Sequence, residues 1–251
     1  MKKQERQKKI LELLHERERI KIRELAELLH ASSETIRTDL DTLVSQALVI
    51  KEHGWARVNK TIKEIPLSYR SQEDHSIKKG LSLRAFQEVK DGQVLFIDGG
   101  STIFAGIEAL TYKKEITVVT DSFPVAAKCM ENRIKTFFLG GEINELEQRT
   151  SGYFATKMLE HFRIDLAILG TLGIKDPDGF TTINMDGIAL LRHVINQSKK
   201  VLVVCDKKRF EDSAAYIYAK FREVDILVTH PLLPEQKKMV AAVKTIIECP
   251  S

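Results

Sequence analysis

The 251-residue chain lacks most of what marks a secreted, membrane-embedded or metal-binding protein. It has three cysteines, Cys129, Cys205 and Cys249, too far apart for a chelating pair. That odd count, with no secretory leader, predicts reduced thiols, a cytoplasmic location, and neither a metal site nor a cofactor. No apolar run approaches the roughly 20 residues that a bilayer-crossing helix needs. Internal repeats and low-complexity tracts are also missing, which argues against a solenoid or a biased linker. Charge is only mildly one-sided. The formal net is +4, and residues 1–60 hold 13 Lys+Arg against 10 Asp+Glu, so residues 61–251 contribute only +1. The excess sits in the smaller part of the chain, and it supports nucleic-acid binding only beside a motif.

Such a motif is present. Residues 22–58 read as helix, turn, helix and short β-ribbon. Leu25, Leu28 and Leu29 on one segment, and Ile36, Leu40 and Leu43 on the next, repeat at three- and four-residue spacing, which predicts a buried stripe on each helix. His30-Ala31-Ser32 is short enough for a tight turn, and Ser32 is a good N-cap for the helix that follows. The outward face of that helix presents Ser33, Thr35, Arg37 and Thr38, short polar groups plus a guanidinium able to bond base edges and phosphates. Ala47–Lys51 and Trp55–Val58 flank Glu52-His53-Gly54, a hairpin wing from which Lys51, His53 and Arg57 could reach flanking phosphates. A first helix over 4–16 would pack Ile10, Leu13 and Leu14 against the other two. One amphipathic stripe alone more often means core than function. Stripes, turn length, polar face and ribbon together point to a helix that enters a DNA major groove.

On these residues, ERQKKILELL…IRELAELLHASSETIRTDLDTL…HG, the chain resembles the N-terminal winged helix of DeoR/GlpR-type bacterial transcription regulators through residues 5–54. It departs from them at Thr38, where a second basic residue is usual, at Trp55, where a second glycine is frequent, and at Lys21, where a small capping residue is common. The resemblance implies double-stranded operator DNA as a partner, contacted by Ser32, Ser33, Thr35, Arg37, Thr38, Lys51, His53 and Arg57. One winged helix covers only a half-site, so a homodimer or higher homo-oligomer is expected.

Residues 1–58 are therefore expected to form one domain. Residues 59–75, polar and holding Pro66, are expected to be a linker, and residues 76–251 a second domain. In the latter, short runs apolar on both faces (94–97, 116–119, 136–139, 166–169, 201–204 and 225–228) alternate with helical stretches at 76–90, 102–110, 122–131, 151–161 and 186–198. The pattern predicts an α/β fold with a mainly parallel sheet covered on both sides. Ligands of such sheets bind at the carboxyl ends of the strands. There the chain places Asp98-Gly99-Gly100-Ser101-Thr102, Thr120-Asp121-Ser122, Gly140-Gly141-Glu142, Gly170-Thr171, Thr182-Ile183-Asn184 and Asp206-Lys207-Lys208-Arg209. Glycines permit tight turns, while hydroxyls, free N–H groups at a helix start and cations suit a phosphate. The Asp98–Thr102 loop alone is equally compatible with ordinary turn geometry, and the 206–209 cation run taken alone is better read as a solvated surface loop.

Residues 76–230 in turn resemble the sensor domain of the same family, similar in fold to ribose-5-phosphate isomerase and the CoA transferases. The matching stretches are Lys78 with its helix, IDGGST, VVTDS, LGGE, the Gly152 helix, GTLGI, Thr182–Asn184 and CDKKRF. Three features depart from the family: Asp121 replaces an asparagine, Lys207 and Lys208 replace small hydroxyl residues, and Arg209 replaces a lysine. The resemblance implies a sugar-phosphate effector held by Lys78, Asp98, Gly99, Gly100, Ser101, Thr102, Asp121, Gly141, Glu142, Gly170, Asn184, Lys207 and Arg209. The expected function is a DNA-binding regulator, a repressor of a carbohydrate-utilisation operon controlled by a phosphorylated sugar or a related anionic metabolite, and not an enzyme. Two alternatives remain at this point. One is an isomerase-like enzyme on sugar phosphates, with Asp98, Asp121 or Glu142 as general base. The other is an architectural DNA-binding protein with a degenerate sensor.

Overall fold

The computed structural model describes residues 1–46, 48–59, 67–71, 74–145, 147–174 and 178–250. Residue packing divides the chain into two units, Met1–Glu73 and Asp74–Ser251. No helix among the described residues is long and apolar enough to cross a membrane.

The first unit runs α1 (Lys3–Arg17), β1 (Arg19–Lys21), α2 (Ile22–Leu28), α3 (Ser33–Ser45), β2 (Val49–Glu52) and β3 (Trp55–Val58). Ile10, Leu11 and Leu14 of α1 meet a core made by Ile22, Leu25, Ala26, Leu29, Ile36, Leu40 and Leu43, all buried. Two expected core positions are corrected. Leu28 is 42% exposed, because the buried stripe of α2 runs through 22, 25, 26 and 29 and a residue six after Ile22 points well off it. Leu11, rather than Leu13, fills the α1 stripe. Ser32 caps α3 by accepting the Thr35 N–H at 3.1 Å. The aspartate of the Thr-Ile-Arg-Thr-Asp-Leu run is structural. Buried Asp39 accepts from Arg6 Nε at 2.5 Å and from Gln7 Nε2 at 3.3 Å, tying α3 to α1. β1 was not anticipated; it completes a three-stranded antiparallel sheet of order β1-β3-β2. Of the expected linker, 60–66 and 72–73 lie outside the described residues, as does Ala47 of the expected wing. Within the linker Leu67–Arg70 forms a helical turn, α4. Leu67 and Tyr69 are buried there, and the Tyr69 hydroxyl donates to Gln46 Oε1 at 2.7 Å.

The second unit contains a seven-stranded parallel sheet in the order β14-β13-β11-β9-β4-β5-β6. Its strands are β4 (Val94–Ile97), β5 (Thr117–Thr120), β6 (Lys135–Phe138), β9 (Leu166–Gly170), β11 (Val201–Val204), β13 (Ile226–Thr229) and β14 (Thr245–Glu248). Alternate residues feed two cores. Phe96, Val119, Ala167, Leu169, Val203 and Leu227 pack with α8 (Gly152–Leu159) and α9 (Met185–Gln197) on one face. Leu95, Ile97, Val118, Ile168, Leu202 and Val228 pack with α5 (His75–Gln87) and α7 (Phe123–Glu131) on the other. The helix expected over 102–110 is instead broken into α6 (Ser101–Phe104) and a 3-10 turn at Ile107–Tyr112. The buried Ser82 hydroxyl donates to the Ile103 carbonyl at 2.7 Å, and a Cβ at Gly106 would lie 2.7 Å from Ser82 Oγ, so the chain turns where Ser82 presses in. Two antiparallel pairs sit outside the main sheet: β7 (Glu142–Asn144) with β8 (Arg149–Ser151), and β10 (Gly179–Thr182) with β12 (Tyr216–Lys220).

Candidate DNA-binding face and effector crevice

In the first unit, α3 carries Arg37 and Thr38 on its exposed side, whereas Ser33, expected to face outward with them, is half-buried because it lies one turn before the buried Ile36–Leu40 stripe, and Thr35 is bonded to the Ser32 cap. The three cations expected to meet DNA, Arg37 on α3, Lys51 on β2 and Arg57 on β3, are already matched within the protein. Arg37 pairs with Glu34 at 3.2 Å, Lys51 with Asp41 at 2.6 Å and Arg57 with Glu52 at 2.9 Å. These pairs are solvent-exposed and each is worth less than about 1 kcal/mol, so a phosphate can displace the carboxylate cheaply. Thr38 bonds the Glu34 carbonyl at 3.1 Å, and His53 turns the wing in a left-handed conformation at φ 38°.

In the second unit, β4 is the topological switch. β5 and β6 extend the sheet to one side, and β9, β11, β13 and β14 extend it to the other. The crevice of an open α/β sheet lies at such a point, outside the strand carboxyl ends. Asp98, directly after β4, bridges it: Oδ2 accepts the Gly170 N–H at 3.0 Å, and Oδ1 accepts the Gly99 N–H at 2.7 Å. The same Oδ1 accepts Arg149 Nη2 at 2.5 Å, and Arg149 Nε lies 3.5 Å from Asp121 Oδ2 after β5. One guanidinium thus sits between two carboxylates. The other Asp121 oxygen, Oδ1, is buried with no hydrogen-bond partner among the described residues. Burial pushes the Asp121 carboxyl up to about 6; Arg149 offsets this in part, while Asp98 and Glu147 add to it.

Two glycines of this crevice are sterically required. A Cβ at Gly99 would lie 2.8 Å from Ser122 Oγ and 3.0 Å from Arg149 Nη2. At Gly141, φ is 148° and a Cβ would lie 2.5 Å from the Ser151 carbonyl oxygen. Gly100 meets nothing closer than 3.8 Å, which leaves space beside its backbone. Asn184 caps α9 by accepting the Gly187 N–H at 3.1 Å, and its Nδ2 donates to Glu147 Oε2 at 2.6 Å. Tyr218 donates to the Gly170 carbonyl at 2.7 Å, and burial holds its hydroxyl neutral by raising its pKa well above the usual value.

Both halves of the chain match known families. Residues 6–62 fit the DeoR-like helix-turn-helix domain, and residues 73–230 fit the DeoR C terminal sensor domain. The chain belongs to the DeoR family. It is 27% identical over 230 residues to the glycerol-3-phosphate regulon repressor of Escherichia coli, covering 91% of each chain. It is equally 27% identical over 226 residues to the uncharacterized HTH-type transcriptional regulator FruR of Bacillus subtilis, covering 90% of each. Among solved structures, a ribose-5-phosphate isomerase in complex with phospho-erythronic acid matches 53% of each chain at a TM-score of 0.41 and 16% identity, a likeness too distant to carry an argument. The family and these curated relatives are transcription regulators rather than enzymes, so the isomerase alternative falls.

In this DeoR-family chain the crevice gathers some of the expected residues and not others. Asp98, Gly99, Asp121 and Gly170 converge around Arg149, and Asn184 joins them through Glu147. Ser101 is buried at the start of α6 and Lys78 is buried on α5, while Thr102 is half-buried. Among the described residues no side-chain hydrogen bond or ion pair joins Glu142, Lys207 or Arg209 to Asp98, Asp121 or Arg149. Glu142 is exposed on β7, and Lys207 is exposed beside β11. Arg209 is turned to the Leu172 carbonyl and Asp212, both at 3.3 Å, and to Asp206 at 3.6 Å. Lys208 pairs with Asp74 at 2.8 Å. Two of the three cations expected to form a phosphate cluster are therefore engaged by carboxylates. The sequence reading missed Arg149, Glu147 and Tyr218. They arrive from a hairpin and an edge strand with no motif of their own, so only the fold reveals them. No group of three or more metal-ligating side chains occurs among the described residues.

Proposed function

We propose that this DeoR-family regulator is a cytoplasmic repressor of a carbohydrate-utilisation operon, released from DNA by a phosphorylated sugar. In this reading residues 1–58 bind the operator through Ser32, Ser33, Thr35, Arg37, Thr38, Lys51, His53 and Arg57. Residues 59–75 connect them to a sensor over 76–251. The effector lies at the β4/β9 switch point, against the Asp98–Thr102 loop and Gly170. The observation that supports this most is the Arg149 guanidinium held at the crevice by Asp98 and Asp121, a cation that a phosphate can share or recruit. The carboxylates around it suit sugar hydroxyls, which donate hydrogen bonds. Gly100, Ser101, Thr102, Gly141, Asn184, Lys78 and, further out, Glu142, Lys207 and Arg209 are the remaining candidate contacts. The E. coli relative, by its name a repressor of a glycerol-3-phosphate regulon, supports an effector of this class.

The regulator acts as a homodimer or higher homo-oligomer, because a single α3 reads only a half-site. The effector must bind the DNA-released arrangement more tightly than the DNA-bound one, since equal affinity would shift nothing. The test is a thermal-shift screen of the full chain against sugar phosphates and their unphosphorylated parents. A cognate ligand at about 100 times its Kd stabilises the sensor by roughly 2.7 kcal/mol. A panel in which no phosphate ester raises the melting temperature above its parent sugar would overturn the effector assignment.

A further inference from the structure

The outer face of the small sheet in the first unit holds a second cationic group, centred on β1 and reaching the wing only through Trp55 and Arg57 of β3. The register sets Arg19 opposite Arg57 and Lys21 opposite Trp55, with Ile20 opposite Ala56 between them. Ile20 and Ala56 are both buried, so Arg19, Lys21, Trp55 and Arg57 share the outward side. The Arg19 guanidinium carbon lies 4.5 Å from the Trp55 ring centroid, and Lys21 Nζ lies 5.1 Å from it.

Two cations held on one indole repel each other, and the ring's negative faces only partly offset that. The acids nearby do not answer them. Glu52 is bound by Arg57 at 2.9 Å, and Glu24 is bound by Arg17 at 2.9 Å. Among the described residues neither Arg19 nor Lys21 has a carboxylate within ion-pair distance. They differ in this from Arg37, Lys51 and Arg57, each of which must first release a carboxylate to meet an anion. A hollow of about 220 Å³ borders the face, lined in part by Arg19, Glu52, His53, Trp55 and Arg57. The face is also fixed relative to the helix pair, because the Ile22 N–H that opens α2 donates to the Gly54 carbonyl at 3.0 Å.

We propose that Arg19 and Lys21, stacked on Trp55, form a phosphate clamp that grips the backbone of duplex DNA beside the groove entered by α3. The ligand is the phosphodiester oxygen, so the clamp adds affinity without reading sequence. The indole sets the two cations in place before DNA arrives. This inference rests on the DNA-binding reading of the first unit, and its test separates the two.

The full chain is titrated into a fluorescein-labelled mixed-sequence duplex, with anisotropy read over a series of salt concentrations. Each neutralised phosphate contributes about 0.9 to the slope of log K against log salt. The double variant Arg19→Gln/Lys21→Gln is expected to lose nearly two from that slope and to bind more weakly at every salt concentration. Trp55→Leu keeps both charges; it is expected to keep the slope and to bind roughly two- to five-fold more weakly, the worth of an exposed cation–π contact. Far-UV circular dichroism melts check that each variant folds as the parent does. If the parent binds with a clear salt slope and the folded double variant matches it, the clamp is refuted and the DNA-binding reading stands. If the parent shows no salt-dependent binding, both fall.

Discussion

Replacing Asp121 by asparagine should make the sensor unit more stable, and by an amount that depends on pH. Asp121 is 3% exposed, and one of its oxygens has no hydrogen-bond partner among the described residues. Burial raises its carboxyl from an ordinary 3.8 to about 6 despite Arg149. The unfolded chain therefore ionises this group at lower pH than the folded chain does. Its contribution is favourable below about pH 4 and is lost as pH rises through about 6. A shift of about two units corresponds to about 3 kcal/mol, of which roughly half is lost between pH 5 and pH 8. Asparagine keeps the shape, carries no charge at any pH and leaves Arg149 with Asp98. The advantage of Asp121→Asn over the parent should thus grow by about 1 kcal/mol or more between pH 5 and pH 8. Urea unfolding followed by far-UV circular dichroism at both pH values measures it. Tryptophan fluorescence would not, because the one tryptophan, Trp55, lies in the other unit. An Asp121→Asn advantage that is the same at pH 5 and pH 8 would show that the carboxyl titrates normally, and the reasoning from burial would be wrong.

Other outcomes follow from the same contacts. Arg149→Met leaves Asp98 and Asp121 facing each other and should cost the sensor about 3 kcal/mol at pH 8 but less at pH 5, where Asp121 is largely protonated; equal losses at the two pH values would contradict this. Gly141→Ala puts a Cβ 2.5 Å from the Ser151 carbonyl at a φ of 148°, so it should destabilise the sensor by about 1–3 kcal/mol, whereas Gly100→Ala should melt within a degree or two of the parent. Asp39→Ala strands Arg6 and Gln7 and should lower the stability of the first unit by about 2–3 kcal/mol, read from Trp55 fluorescence during urea unfolding. Arg37→Ala should weaken operator binding by about 1–3 kcal/mol if the guanidinium meets a base edge, with non-specific binding little changed. An Arg37→Ala protein that binds both DNAs as the parent does would remove α3 as the reading helix.

Periodicity and capping are local, and they were legible in the sequence. The Ser32 cap, the Ile36–Leu40–Leu43 stripe and six apolar runs each spell out an element because helix and strand repeat their side chains at different intervals. The apolar runs also imply parallel strands covered on both faces, and the loops after them mark where a ligand would sit. Sequence also carried the family resemblance at both ends of the chain. Other features depended on residues distant in sequence. Leu28 looks like core until the stripe of α2 settles on Ala26, and the 102–110 helix looks continuous until Ser82 takes the Ile103 carbonyl. β1 is three residues long, too short for a period, and it exists because β3 pairs with it. The crevice shows the limit most clearly. Asp98 and Asp121 were visible at their strand ends, but Arg149 lies 51 residues from Asp98 on a hairpin with no motif. What a carboxylate does depends on the charge that the fold brings against it, and that charge comes from a distant part of the chain.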